Sequence, residues 1–317
     1  MLKKSRFVQN FSLKSLIFAF ITCFLVVACQ SSPNTTNSGN LANPETDKIS
    51  EIKFGVGPYF PTPNENREQF DPFFERLAAA VDLPADITVT EDWVGISEAL
   101  RSRTLDVAWL GPWGYVLANH NEPSIEAIAT VKYKENPVYY SVLMARADAP
   151  FDTLEEAIAQ SQNGEQLRLS LADVGSTSGW LIPTAEFERL GVNPKAVFDY
   201  NEGASHAAQA IAVLSDQVDI ASDYDRNLDV LESTGRINKS DLKIIWKSDP
   251  LPNDPIAVRG GLPDEIKAKL QQALAEISPE EAQELLPENY TGFVVSDGKN
   301  YEPIQNAGKS VGKLEEE

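Results

Sequence analysis

The chain has 317 residues, 42% of them hydrophobic and 23% charged. This is a globular composition, long enough for one large or two ordinary domains, and it excludes a collagen-like or wholly disordered chain. Acids outnumber bases 47 to 27, a net charge of −20, which argues against a basic nucleic-acid footprint and against a polybasic membrane patch. Two cysteines and two histidines build no disulfide framework and supply no multi-His metal site, so neither metal nor cofactor is expected.

The chain opens on Lys3, Lys4, Arg6 and Lys14, followed by an apolar run over 15–28. That run is short of the ~20 residues of a spanning helix and has the layout of a secretory signal. It ends in Val26-Val27-Ala28-Cys29, which resembles a bacterial lipobox. We therefore expect residues 1–28 to be a signal peptide and Cys29 to become a lipidated N-terminus, with palmitate among its chains. Losing 1–28 removes four bases and no acid and leaves a net charge of −24. Residues 29–48 are rich in Ser, Asn, Thr, Pro and Gly and read as a tether with a root-mean-square span of roughly 24 Å. The expected location is extracytoplasmic, on a bacterial membrane.

Strands and helices then alternate. The patterning predicts a strand over 52–56, a helix over 68–81 and a strand over 87–89. A helix over 96–103 follows, then a strand over 106–110, a helix over 113–119 and strands over 125–131 and 139–145. Next come a helix over 154–160, a strand over 167–171 and a helix over 178–190 closed by Gly191. Strand 197–200, helix 207–214, strand 218–221 and helix 228–232 continue the rhythm. Strands over 242–246 and 256–259 precede a helical tail to about 286. This alternation argues for an α/β fold with largely parallel sheets. One sheet is expected from 54–145 and another from 151–246, as two lobes with a ligand cleft between them.

The sharpest chemical signal is residues 173–179, DVGSTSG. It joins a strand to a helix, so free backbone N–H groups and the positive helix end sit beside the hydroxyls of Ser176, Thr177 and Ser178. Such a turn can hold a tetrahedral oxyanion without Lys or Arg; a plain N-cap is the simpler alternative. His206 starts another predicted helix. Asp254, in Leu251-Pro252-Asn253-Asp254-Pro255, reads alone as a turn residue. Tyr59, Trp93, Trp113, Tyr139 and Tyr140 lie near strand ends or helix starts, where each singly reads as packing. Gly308-Lys309-Ser310 lacks the earlier glycine of a P-loop, because Pro303 stands there. The middle residue of Gly175–Gly179 is Thr177, so it is no G-x-S-x-G elbow. Ser176, His206 and an acid could nominally form a triad, but no motif supports one; no catalytic residue is assigned.

Residues 173–179 with Pro183, then Ser205-His206, then Trp246-Lys247-Ser248 running into Pro252-Asn253-Asp254-Pro255, together resemble the phosphate/phosphonate-type solute-binding proteins of ABC importers. The resemblance spans roughly 52–286. It implies a two-lobed type II periplasmic binding protein fold, with lobe 1 from 49–146 plus 249–317 and lobe 2 from 147–248. The hinge would lie near 145–150 and 248–252. It implies that Ser176, Thr177 and Ser178 grip phosphonate oxygens, that Tyr139, His206 and Asp254 complete the grip, and that Trp93 or Tyr59 lines the other lobe. A carboxylate at Asp254 suits a ligand that keeps a proton, a P–O–H donating to it. The implied partners are a small phosphorus oxyanion (phosphite, methylphosphonate or a similar phosphonate, or phosphate) and the permease and ATPase subunits; a monomer is expected. Relatives that take aminoalkyl phosphonates carry an acid near 222–228. Aligned through Asn227-Leu228-Asp229, that position is Arg226 here, with Asp223 and Asp225 as the alternatives. Arg226 would disfavour an amine. Other readings are a ligand-binding sensory lipoprotein and a hydrolase of phosphoesters.

Overall fold

The computed structural model describes residues 49–60 and 62–315. The expected signal peptide, Cys29 and the tether over 29–48 lie outside them. In chain order the elements run β1 (Ile52–Val56), α1 (Pro63–Ala80), β2 (Ala85–Val89), α2 (Trp93–Arg101), β3 (Val107–Trp109), α3 (Pro112–Asn121), β4 (Glu126–Tyr133) and β5 (Val138–Tyr139). Next come β6 (Ser141–Arg146), α4 (Leu154–Gln162), β7 (Arg168–Ala172), a π-helical turn Thr177–Leu181 that runs into α5 (Ile182–Arg189), α6 (Pro194–Val197) and β8 (Asp199–Ala204). The rest is α7 (His206–Leu214), β9 (Ile220–Tyr224), α8 (Asn227–Ser233), β10 (Leu242–Lys247), β11 (Leu251–Pro252), β12 (Pro255–Val258), α9 (Asp264–Glu276), α10 (Pro279–Leu285), β13 (Tyr290–Val295) and α11 (Glu302–Ser310).

Among the described residues two large sheets result, of order β13-β4-β12-β3-β1-β2 and β10-β6-β9-β7-β8, besides a two-stranded one, β11-β5. The expectation of largely parallel sheets is corrected: both are mixed. Among the described residues only β1/β2, β1/β3, β7/β8 and β7/β9 pair in parallel. The returning strands β12 and β13 both run antiparallel to β4, and β12 also to β3: β12 comes back from the other sheet, and α9 and α10 then carry the chain over β4 to β13 in the same sense as β12. The boundary expected at 146 also moves. The predicted strand over 139–145 breaks at Tyr140, and β6 pairs β9 and β10 in the second sheet.

The two crossing segments are tied to each other. β5 and β11 form a two-residue ladder, Leu251 opposite Tyr139 and Pro252 opposite Val138. The Ser248 amide donates to the Ser141 carbonyl at 2.9 Å, and the Ser141 amide donates to Ser248 Oγ at 3.0 Å. Buried Asn253 holds the junction: its Nδ2 donates to the Val131 and Asn136 carbonyls at 3.0 and 3.1 Å.

Local chemistry sets the elements. Helix α1 starts five residues before its predicted position, since Thr62 and Glu65 form a capping box and Pro63 occupies the first turn. Its face of Phe70, Phe73, Phe74 and Leu77 is fully buried; Phe70 and Phe73 pack on Trp109, and Phe73 also on Phe293. Strand β13 and helix α11 were not anticipated. Helix α11 reaches both halves of the molecule: Tyr301 at its start donates to the Asn253 carbonyl at 2.8 Å, and just past its end the Lys313 ammonium lies 5.4 Å from the Trp180 ring. Gly308-Lys309-Ser310 belongs to this helix and forms no phosphate loop.

Candidate functional site

Five helical starts meet at one cavity between the sheets. Trp93 opens α2, Gly111 and Pro112 open α3, Ser176 caps the π-helical turn, His206 opens α7 and Arg226 precedes α8; all of them line the cavity. Each start presents backbone N–H groups and the positive end of its peptide dipoles. An acidic chain thus builds a locally anion-accepting surface.

The second-sheet wall is the turn after β7. Ser176 Oγ accepts from the Gly179 amide at 3.1 Å, as an N-cap does. The amides of Thr177 and Ser178 have no acceptor among the described residues. Thr177 Oγ1 accepts the Trp113 amide of α3 at 2.8 Å, so the hydroxyl proton is left for another acceptor. Glycine at 179 is a packing requirement: a Cβ there would stand 2.4 Å from Ala172 Cβ and 2.9 Å from His206 Cε1. Tyr139, from the crossing ladder, is buried beside Thr177 and Ser178. Burial pushes its phenol up first, and the nearby Asp254 charge adds to the shift, so it stays a neutral hydroxyl donor.

His206 stands 3.0 Å from Ser176 through Nε2 and 2.9 Å from Asp223 Oδ1 through Nδ1. Asp223 is fully buried. It also accepts from the Tyr224 amide and from Asn227 Nδ2, both at 2.8 Å. A carboxylate with that donor set can only accept from Nδ1–H, which turns Nε2 toward Ser176.

The first-sheet wall centres on Asp254, which follows β11. Its Oδ2 accepts from Tyr59 Oη in a short hydrogen bond and from Trp109 Nε1 at 3.2 Å. No protein donor among the described residues reaches its Oδ1. Burial raises the Asp254 carboxyl, while the Tyr59 and Trp109 hydrogen bonds and the Arg226 and His206 charges pull it back. Trp93 packs edge-on against Tyr59 at 4.8 Å and backs onto Gly175, where a Cβ would lie 2.8 Å from Trp93 Cβ. Arg226 is buried too. Its Nη2 donates to the Val138 carbonyl at 2.5 Å and to Asn253 Oδ1 at 2.8 Å, and its guanidinium lies 4.1 Å from the Tyr133 ring centroid.

The fold therefore gathers Tyr59, Trp93, Tyr139, Ser176, Thr177, Ser178, His206 and Arg226 with Asp254 around one space. Of the alternatives to Arg226, Asp223 stands behind His206 and Asp225 accepts the Tyr140 amide at 3.2 Å; neither lines the cavity. Tyr140 is not a lining residue either and carries the Lys247 ammonium 3.6 Å from its ring centroid. Sequence reasoning missed Tyr224, Tyr290 and Asn253 on the wall. Tyr290 opens the unanticipated β13, and Asn253 looked like part of a turn. Trp109, the second donor to Asp254, carried only the signal of an apolar strand. Among the described residues no cluster of His, Cys, Asp or Glu could hold a metal ion, and no helix is long and apolar enough to cross a membrane.

Comparison with known proteins adds the family. The profile described as "ABC transporter, phosphonate, periplasmic substrate-binding protein" matches residues 54–301. The chain is 28% identical to the phosphonates-binding periplasmic protein of Escherichia coli over 75% of its own length and 70% of that protein's. It is 25% identical to the phosphate-import protein PhnD of Mycolicibacterium smegmatis, covering 81% and 80% of the two chains. A binding-protein component of an ABC phosphonate transporter from Pseudomonas aeruginosa superimposes with a TM-score of 0.73 at 27% identity, over 82% of this chain and 86% of that one. PhnD1 of Prochlorococcus marinus, solved with methylphosphonate, shares the fold with a TM-score of 0.72 at 19% identity, over 84% and 99%. A profile match spanning both sheets and both cavity walls places the chain in the family of phosphonate ABC-transporter periplasmic substrate-binding proteins.

Proposed function

We propose that the cavity takes a small phosphorus oxyanion without an amine, namely methylphosphonate, phosphite or phosphate, and delivers it to a permease. The carrying observation is Arg226, whose guanidinium lines the cavity where an ammonium tail would otherwise need an acid. The Thr177 and Ser178 amides with the hydroxyls of Ser176, Thr177, Ser178 and Tyr139 hold the oxygens, and His206 faces them through Ser176. Asp254 Oδ1 accepts the ligand's remaining P–O–H, with Tyr59 and Trp93 as the facing wall. The space is about 60 Å³, in keeping with a tetrahedral anion bearing a short substituent.

Lobe 1 is residues 49–140 with 249–315 and lobe 2 is 141–248, joined at the β5/β11 ladder and closing on the ligand. Cys29 carries the lipid, the tether over 29–48 lets the monomeric binding unit turn, and permease and ATPase subunits receive the cargo. Titration calorimetry with methylphosphonate, phosphite, phosphate and 2-aminoethylphosphonate at pH 6 and pH 9 tests the reading. Heats from the first three and none from the amine are expected, with affinity falling at pH 9 as the dianion meets Asp254. Preference for the amine overturns the Arg226 assignment, and heat from none of the four overturns the ligand class.

A further inference from the structure

Ser176, His206 and Asp223 form a relay that binding alone does not require. Ser176 Oγ is 3.0 Å from His206 Nε2, and His206 Nδ1 is 2.9 Å from Asp223 Oδ1. Asp223 is fully buried and has no Lys or Arg partner among the described residues; its ion-pair partner is His206. The hydroxyl faces the cavity beside the Thr177 and Ser178 amides, which have no acceptor among the described residues. A hydroxyl, an imidazole in hydrogen-bond reach, an orienting carboxylate and adjacent N–H donors are the parts of an activated serine nucleophile.

We infer that Ser176 is a modification site for small tetrahedral electrophiles that carry a leaving group. The inference rests on reading the cavity as an oxyanion site. The proposed cargo leaves Ser176 unused as a nucleophile: a P–C, P–H or P–O bond would have to expel a carbanion, a hydride or a hydroxide, all poor leaving groups. A sulfonyl or phosphonyl fluoride differs in that one respect. With methanesulfonyl fluoride, Ser176 Oγ bonds to sulfur, the S–F bond breaks and fluoride departs. The serine proton passes to His206 Nε2, and Asp223 holds the resulting imidazolium through Nδ1–H. The reaction is a single covalent event and implies no turnover.

The test treats the full-length protein in detergent with methanesulfonyl fluoride and reads intact mass and peptide fragmentation. One methanesulfonyl group on Ser176, excluded by excess methylphosphonate, is the expected result. His206→Gln should abolish the adduct, and Asp223→Asn should slow its formation by at least about tenfold, with a thermal melt confirming that each variant is folded. No adduct, or scattered labelling that methylphosphonate does not suppress, overturns the inference whatever the variants do. Calorimetry of wild-type protein with methylphosphonate separates the outcomes. Binding without an adduct removes the relay and keeps the binding reading; absence of binding removes that reading as well.

Discussion

At Asp254 one carboxylate oxygen is held by Tyr59 and Trp109 and the other lacks a protein donor among the described residues. Burial raises this carboxyl, so ionising it costs more in the folded than in the unfolded chain. Stability free of this cost is complete below the unfolded carboxyl range and is lost as pH rises through the raised folded value. Asp254→Asn keeps an acceptor for Tyr59 and Trp109 and removes the charge. It should raise Tm by about 2–4 °C at pH 8, roughly 1 kcal/mol for a domain of this size, with the gain vanishing near pH 4. Calorimetric scans at the two pH values check this. The same variant should bind methylphosphonate with little dependence on pH, because the carboxylate that repels a dianion is gone. Arg226→Met should weaken methylphosphonate binding by at least about tenfold, since it removes one charge-assisted donor and leaves Asn253 Oδ1 and the Val138 carbonyl short of theirs. Isothermal titration gives both numbers.

Among the elements, the strand–turn–helix path through 173–179 was legible, because a turn rich in glycine and hydroxyl residues there separates an apolar strand from a helix. Its π-helical first turn was not legible: a widened turn follows from packing against β9 and α3 and leaves no pattern in composition. Helix α11 escaped because its apolar positions are few, and β13 because Gly292 interrupts a short strand whose partner β4 lies far away in sequence. Asp223 was named only as an alternative to Arg226, and its place behind His206 was not legible, since only the fold brings the two together. Glycine 175 tests how the elements meet. A methyl group there would press on Trp93 Cβ at 2.8 Å and on the Trp93 carbonyl carbon at 3.1 Å, backbone that cannot yield cheaply. Gly175→Ala should therefore separate the start of α2 from the turn. Loss of about tenfold or more in affinity is expected from the 1–3 kcal/mol of such overpacking, with both sheets intact by circular dichroism.

Over the whole molecule, the chain passes between the sheets at two places and binds those crossings to each other. Asn253 serves both: it reaches back to the Val131 and Asn136 carbonyls, takes Arg226 from the start of α8, and accepts the Tyr301 hydroxyl on its carbonyl. Asn253→Ala strands two buried carbonyls and a guanidinium. Its expected cost is about 2–4 kcal/mol, read as a lower urea midpoint with unchanged slope. Mixed sheets and the returning strands were beyond a reading based on alternation, which ranks neighbours by order along the chain; the two lobes and the cleft were within it, because β–α rhythm sets layers. Trp93 sits where those layers face each other. It is half-buried, edge-on to Tyr59 and behind Gly175, while Trp109, Trp113 and Trp180 are buried already and the half-buried Trp246 is not on the cavity wall. Closure of the cleft on the proposed cargo would change the surroundings of this indole most. The protein thus carries its own optical gauge: with no dye attached, its emission spectrum should shift to shorter wavelength as cargo loads, and Trp93→Phe should erase the shift.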